Sequence, residues 1–180
     1  YRLPVRDAHF KFIHMAYIDL KNDLPGIRGP MAFRPETARP LNMLAEILLR
    51  DDNNTLSRGE RELIGSYVSY LNDCFFCQHV HGALAGHYLS CDMPGIEAIK
   101  ANAGAELSPK MQALLDLAAA VQRGGKAVTP GHTERARAAG ASDIEIHDTV
   151  LIAAAFCMFN RYVDGLGTSA PRDPEFYSSR

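Results

Sequence analysis

Apolar residues recur every three or four positions along almost the whole chain, and no stretch sustains the strict alternation of a half-buried strand. The pattern predicts an all-helical protein. A first helix is expected over residues 7–22, stopped before Pro25-Gly26, with Gly29-Pro30 extending the break as a loop. A second is expected from Pro35 to Arg50 despite Pro40. Ser57-Arg58-Gly59-Glu60 has the spacing of a capping box, in which the two end side chains satisfy each other's backbone N–H groups, so a third helix opens there. Asn72-Asp73 breaks it and caps a fourth, which runs to about Ser90, and Pro94 opens a shorter segment to about Asn102. Ser108-Pro109 and Thr129-Pro130 each pair an N-cap with proline at the first helical position, while Gly124-Gly125 and Gly140 supply stops. Ser142-Asp143-Ile144-Glu145 is a second capping box and opens a long apolar helix reaching about Gly165. The tail from Ser169 to Arg180, with Pro171 and Pro174, reads as irregular and suited to wrapping a neighbouring subunit. No linker interrupts the series, so residues 1–180 read as one domain.

Composition narrows the class without naming a chemistry. With 47% apolar and 22% charged residues in 180, the chain can bury an ordinary globular core. A net charge of -2 and a pI near 6.4 give no footprint for nucleic acid or anionic lipid. The longest purely apolar run, Val150 to Phe159, is about half of what a bilayer span needs. Four cysteines, one close pair and two isolated at Cys91 and Cys157, do not make a secreted disulfide framework and fit a reducing, cytoplasmic setting. No signal peptide opens the chain, although it begins at Tyr1 without methionine, so upstream residues can be missing.

The chemistry concentrates in Glu62, Cys74, Cys77 and His81. On a helix, Cys74 stands about 60° from Cys77 with His81 between them in azimuth, so all three share a face. Cysteines three apart lie with Cα atoms about 5 Å from each other, within disulfide range, so the pair can close and reopen without backbone movement. Attack requires the thiolate, and an ordinary thiol pKa near about 8.5 leaves only a few per cent ionised at neutral pH. A helix N-terminus and a proton-accepting His81 can together supply the about 2.7 kcal/mol that a two-unit drop requires. Glu62, on the preceding helix, reaches this site only through a tight turn at Asn72-Asp73.

Blander and rival readings attach to the same residues. Cys74 and Cys77 can be small buried apolar residues, and Glu62 a first-turn acid favoured by the helix dipole. A zinc site would use Cys74, Cys77 and His81 with His79, His87 or Cys91 as a fourth ligand. His79 falls on the opposite face, His87 more than two turns on, and Cys91 about 20 Å beyond Cys77 if the helix continues, so no metal and no cofactor is expected. Arg161 and Asp164, at i and i+3, read as a mutual pair or a helix end.

The spacing Glu62-x11-Cys74-x2-Cys77-x3-His81 resembles the signature of the AhpD-like alkylhydroperoxidase group in the carboxymuconolactone decarboxylase superfamily, especially its peroxidase-related branch. Phe33-Arg34-Pro35-Glu36-Thr37-Ala38 and the stretches Asp148 to Phe156 and Asn160 to Gly167 are similar to the same branch, so the resemblance covers about residues 26–167. It implies an AhpD-like helical bundle of six to eight helices forming homo-oligomers, trimers or hexamers. It implies a thiol peroxidase in which Cys77 attacks the peroxide oxygen, Cys74 resolves the sulfenic acid, and His81 and Glu62 relay protons. Its partners would be a hydroperoxide and an external dithiol or lipoyl-type reductant. The chain departs from the best-known members at Phe76, where they carry a second histidine. Two alternatives stay open: a decarboxylase-type reaction using His81 as base without the thiols, and a non-catalytic redox sensor.

Overall fold

The computed structural model describes residues 16–101 and 107–178. Among them the chain forms nine α-helices and no strand. These are α1 Arg28–Phe33, α2 Pro35–Arg50, α3 Arg58–Leu71, α4 Phe75–Leu89, α5 Met93–Ala101, α6 Pro109–Arg123, α7 Pro130–Ala138, α8 Asp143–Gly165 and α9 Glu175–Ser178, with a 3-10 turn, Gly125–Ala127, after α6. The all-helical expectation holds, but with more than six to eight helices. Residues 7–15 of the first expected helix lie outside the described residues, and residues 16–22 form bends instead. The expected loop at Gly29-Pro30 is helix α1, because Pro30 sits in the first turn, where its missing N–H would have had no intrahelical partner. Pro40 is tolerated inside α2 on an exposed face, where water can satisfy the carbonyl it leaves free.

Both capping boxes form. Ser57 N–H donates to Glu60 Oε2 at 2.8 Å and Glu60 N–H to Ser57 Oγ at 3.3 Å, while Ser142 and Glu145 repeat the exchange at the head of α8. They set where α3 and α8 begin, and so the phase of every residue that follows. α3 is the central helix, packed against α2, α4, α5, α6 and α8. Leu63, Ile64 and Val68 meet Leu114, Leu115, Leu117, Ile152 and Phe156 in the main core. Arg61, buried on the same helix, donates to the carbonyls of Asp51 at 2.9 Å and Leu48 at 3.4 Å, tying down the C-terminal end of α2; burial holds its pKa below the usual guanidinium value.

α3 and α8 approach closely because Gly65 has no side chain. A Cβ there would lie 2.4 Å from the Phe156 ring. The tail is irregular over residues 168–173, as expected, and then forms the one-turn helix α9, which packs on α4 of its own chain. No helix among the described residues is long and apolar enough to cross a membrane.

Gly65→Ala should overpack the α3–α8 contact and cost about 1–3 kcal/mol. In urea unfolding the midpoint should fall at unchanged slope, and Phe156→Leu in the same chain should recover part of the loss. An unchanged midpoint would refute the close-approach reading.

Candidate functional site

The site begins with the way α3 ends. Asp73 N–H donates to Tyr70 O and Cys74 N–H to Ser69 O, both at 2.9 Å, which is the paired bonding of a Schellman turn. Asp73 takes the left-handed conformation, φ 56°, which a short polar side chain accepts more readily than most. The chain therefore reverses in three residues. Cys74, rather than Asn72 or Asp73, becomes the N-cap of α4, and Cys77 falls in the first turn, where unsatisfied N–H groups favour a thiolate. Both cysteines are free thiols, 0% and 5% exposed.

The reversal lays α4 along α3 and brings His81 onto Glu62. Glu62 Oε2 stands 2.6 Å from His81 Nδ1, and the carboxylate side chain is only 1% exposed. Arg58 Nε, one turn back on α3, lies 3.9 Å from the other carboxylate oxygen. With Nδ1 committed to the carboxylate, Nε2 remains for proton exchange. Burial works against the His81 charge, but the charge and hydrogen bond of Glu62 and the neighbouring Cys77 outweigh it, so the imidazole pKa is raised. The ring stands edge-on to Phe156, centroids 4.6 Å apart.

The two thiols have opposite surroundings. Cys77 is hydrogen-bonded by Cys74, faces the His81 charge and is hydrogen-bonded by the Asn160 side chain; together these overcome burial and lower its pKa. Cys74, giving its proton to that bond, buried, and beside the Cys77 charge, is pushed up. The two shifts run in opposite directions and favour Cys77 over Cys74 as the thiolate. Asn160 is oriented by a chain of amides: Gln122 Nε2 donates to Asn72 Oδ1 at 3.0 Å, Asn72 Nδ2 to Asn160 Oδ1 at 2.8 Å, and Asn160 Nδ2 to Ser69 Oγ at 3.0 Å. With its oxygen occupied, Asn160 turns its N–H side toward the thiols.

Asp164 stands one turn after Asn160 on α8; partial burial and the charge of Asp73 hold its carboxyl above the usual range. The expected pairing of Arg161 with Asp164 does not form, since Arg161 donates to the Cys157 carbonyl at 2.9 Å. An apolar wall of Phe76, Val163 and Tyr177 closes the site. Phe76 is wedged against Gly26, whose φ of +59° and lack of Cβ let the ring approach, and 6.2 Å from Tyr177. His79 stacks between Phe75 and Tyr177, His87 lies against Tyr88, and Cys91 donates to the Asp92 carbonyl, each turned to its own surroundings.

The four residues singled out in the sequence, Glu62, Cys74, Cys77 and His81, therefore come together in one cluster. Asn160, the amide beside Cys77, was missed. Its only sequence signal is a polar residue directly following the apolar run of α8.

Comparison with known proteins places this arrangement. Residues 96–168 match the carboxymuconolactone decarboxylase family, a stretch that includes α8 but begins after the dithiol. No curated protein matches. A peroxidase-related protein of Ralstonia eutropha JMP134, described as an uncharacterized protein with an alkylhydroperoxidase AhpD core, superposes with TM-score 0.77 at 26% identity, over 87% of this chain and 82% of its own. An uncharacterized peroxidase-related protein of Silicibacter sp. TM1040 gives 0.76 at 27% identity, over 87% and 80%. A protein of unknown function from Agrobacterium tumefaciens, proposed to be an AhpD-type antioxidant defence protein, shares the fold at TM-score 0.68 and 20% identity, over 80% and 97%. The all-helical fold, the match over residues 96–168 and these structural likenesses support the AhpD-like/carboxymuconolactone decarboxylase superfamily.

Proposed function

We propose that the protein is a thiol peroxidase that reduces hydroperoxides through a Cys74–Cys77 disulfide cycle. The observation that carries this reading is a free dithiol at the head of α4, Cys77 in its first turn, with His81 one turn on held 2.6 Å from the buried Glu62 carboxylate. Cys77 attacks the terminal peroxide oxygen, the O–O bond breaks, and the departing alkoxide takes the His81 proton, leaving a Cys77 sulfenic acid and an alcohol. Glu62 keeps His81 protonated for that step. Cys74 then displaces the oxygen as water and closes the disulfide, which an external dithiol or lipoyl-type reductant reopens by exchange. Phe75, Phe76, Val163 and Tyr177 around the dithiol support an alkyl hydroperoxide over hydrogen peroxide. Exposed Met43 and Ile47 on α2, with Ile144, Leu151 and Met158 at seven-residue spacing on α8, support a homo-oligomer.

In single-turnover reaction of pre-reduced protein with cumene hydroperoxide, two thiols per subunit should disappear faster than free cysteine reacts. Cys77→Ser should abolish the reaction, and Cys74→Ser should stop it at a sulfenic acid. A rate no higher than that of free cysteine would reject the peroxidase, and activity on a lactone acid surviving loss of both thiols would establish the decarboxylase-type reaction instead.

The pH dependence follows from the directions of the two shifts. Cys77, lowered, supplies thiolate above its own pKa; His81, raised, supplies a proton below its own. The peroxide rate should rise through the first and fall through the second, whereas iodoacetamide alkylation, which needs only thiolate, should show the rise alone. Glu62→Gln removes what raises the His81 pKa, so the descending limb moves down, the Cys77 limb moves up, and the neutral rate drops about tenfold for each unit of thiol shift. Limbs unmoved in Glu62→Gln would remove Glu62 from the relay.

A further inference from the structure

The dithiol lies apart from the main core. Leu63, Ile64, Val68, Leu114 and Ile152 belong to one large buried cluster, whereas Cys74 and Cys77 belong to a second, smaller one with Phe76, Val163 and Tyr177. Ala170 and Phe176 of the tail edge this smaller cluster, so part of its cover is a chain end. A satellite cluster of this kind opens by local movement of its covering segment at a fraction of the cost of opening a main core.

Entry is a physical problem for this site, because both thiols are buried. A reductant thiolate must meet one sulfur of the Cys74–Cys77 bond and expel the other as thiolate; the reductant's second thiol then resolves the mixed disulfide and leaves both cysteines reduced. A cavity of about 450 Å³ lies between Phe75, Phe76 and Val163 on the helices and Thr168, Ala170 and Arg172 on the tail. Phe76 and Val163 line that cavity and also belong to the dithiol cluster, so they are the wall between the two. Val163 is carried by the long helix α8, and Phe76 sits in the first turn of α4.

Two neighbours hold the Phe76 ring. Gly26 packs against it where no side chain would fit, and Gly26 N–H donates to Ser169 O at 2.8 Å, tying that loop to the start of the tail. The Tyr177 ring stands edge-on to Phe76 with centroids 6.2 Å apart, and is itself packed against Phe75 at 6.2 Å and His79 at 5.4 Å. Its hydroxyl donates to Pro171 O at 2.6 Å, which folds α9 into a small unit with the segment before it. We infer that Phe76 is the gate between this cavity and the dithiol, and Tyr177 its latch. When α9 lifts, the Phe76 ring is free to turn and the cavity opens onto the sulfurs. That the visitor is a hydroperoxide or a dithiol reductant rests on the peroxidase reading, whereas the gate does not.

The test uses reagents that are not peroxides. Iodoacetamide alkylation of the reduced protein is followed site by site by peptide mass, at the alkaline plateau of the Cys77 rate, and reduction of the diamide-formed disulfide by dithiothreitol is followed by thiol count. Tyr177→Ala should speed both reactions of the dithiol at least about tenfold, since loss of a buried ring raises the open population by at least that factor. Cys91 and Cys157, which lie against the main core, should react at their wild-type rates. Phe76→Ala should speed the dithiol alike, and the double variant should be no faster than the faster single one, because one gate cannot be opened twice. Tyr177→Phe, which keeps the ring and loses the bond to Pro171, should give about a twofold gain and carries the test if Tyr177→Ala does not fold. An unchanged dithiol rate in these variants, an equal rise at Cys91 and Cys157, or gains that multiply in the double variant would overturn the gate. Failure of the peroxide reaction would reject the peroxidase reading and leave these rates to decide the gate alone.

Discussion

A carboxylate taken out of water must find compensating charge and hydrogen bonds or give up its ionisation, and Glu62 lies almost wholly inside the bundle. Its compensation comes from His81 at 2.6 Å, with Arg58 at the longer distance of 3.9 Å. The rest of the site depends on that contact. The Ser57–Glu60 box fixes where α3 starts and hence where Glu62 points, and the Schellman turn fixes how α4 returns and hence where His81 meets it. A histidine whose pKa is raised, one turn beyond Cys77, then brings positive charge toward a thiol.

The influence of that contact passes outward, since Glu62 raises the His81 pKa and the His81 charge in turn lowers that of Cys77. CxxC spacing alone leaves two equivalent thiols. What separates them is place: Cys77 lies in the first turn of α4, near His81 and the Asn160 amide of α8, whereas Cys74 is the buried cap residue.

Much of this was legible before any coordinates. The caps at Ser57, Ser108 and Ser142, the glycine stops and the break at Asn72-Asp73 each express a local backbone rule, and each falls where the chain turns or a helix begins. The Glu62, Cys74, Cys77 and His81 grouping was legible because it spans one helix, a three-residue reversal and one more helix. The hidden features have a different origin. α1 escaped notice because Gly29-Pro30 reads as a break unless its place in a first turn is known, and α9 because its anchor, Tyr177 on Phe75, Phe76 and His79, is tertiary. Asn160 lies more than eighty residues from the Asn72 and Ser69 side chains it bonds, and the α3–α8 crossing at Gly65 and Phe156 sets its register.

The family match and the chemistry occupy different parts of the chain, and α8 alone belongs to both. Residues 96–168 carry the family likeness, whereas Glu62, Cys74, Cys77 and His81 lie upstream of it. A superfamily name taken from the first stretch therefore describes a scaffold, and a reaction is decided by what α3 and α4 present to it. With a dithiol there, the Asn160 amide serves the Cys77 sulfur. With any other pair of side chains at positions 74 and 77, the same face of α8 would offer a hydrogen-bond donor to whatever occupied the space. The polar face of one long helix can in this way serve more than one chemistry without any change in the packing that holds it.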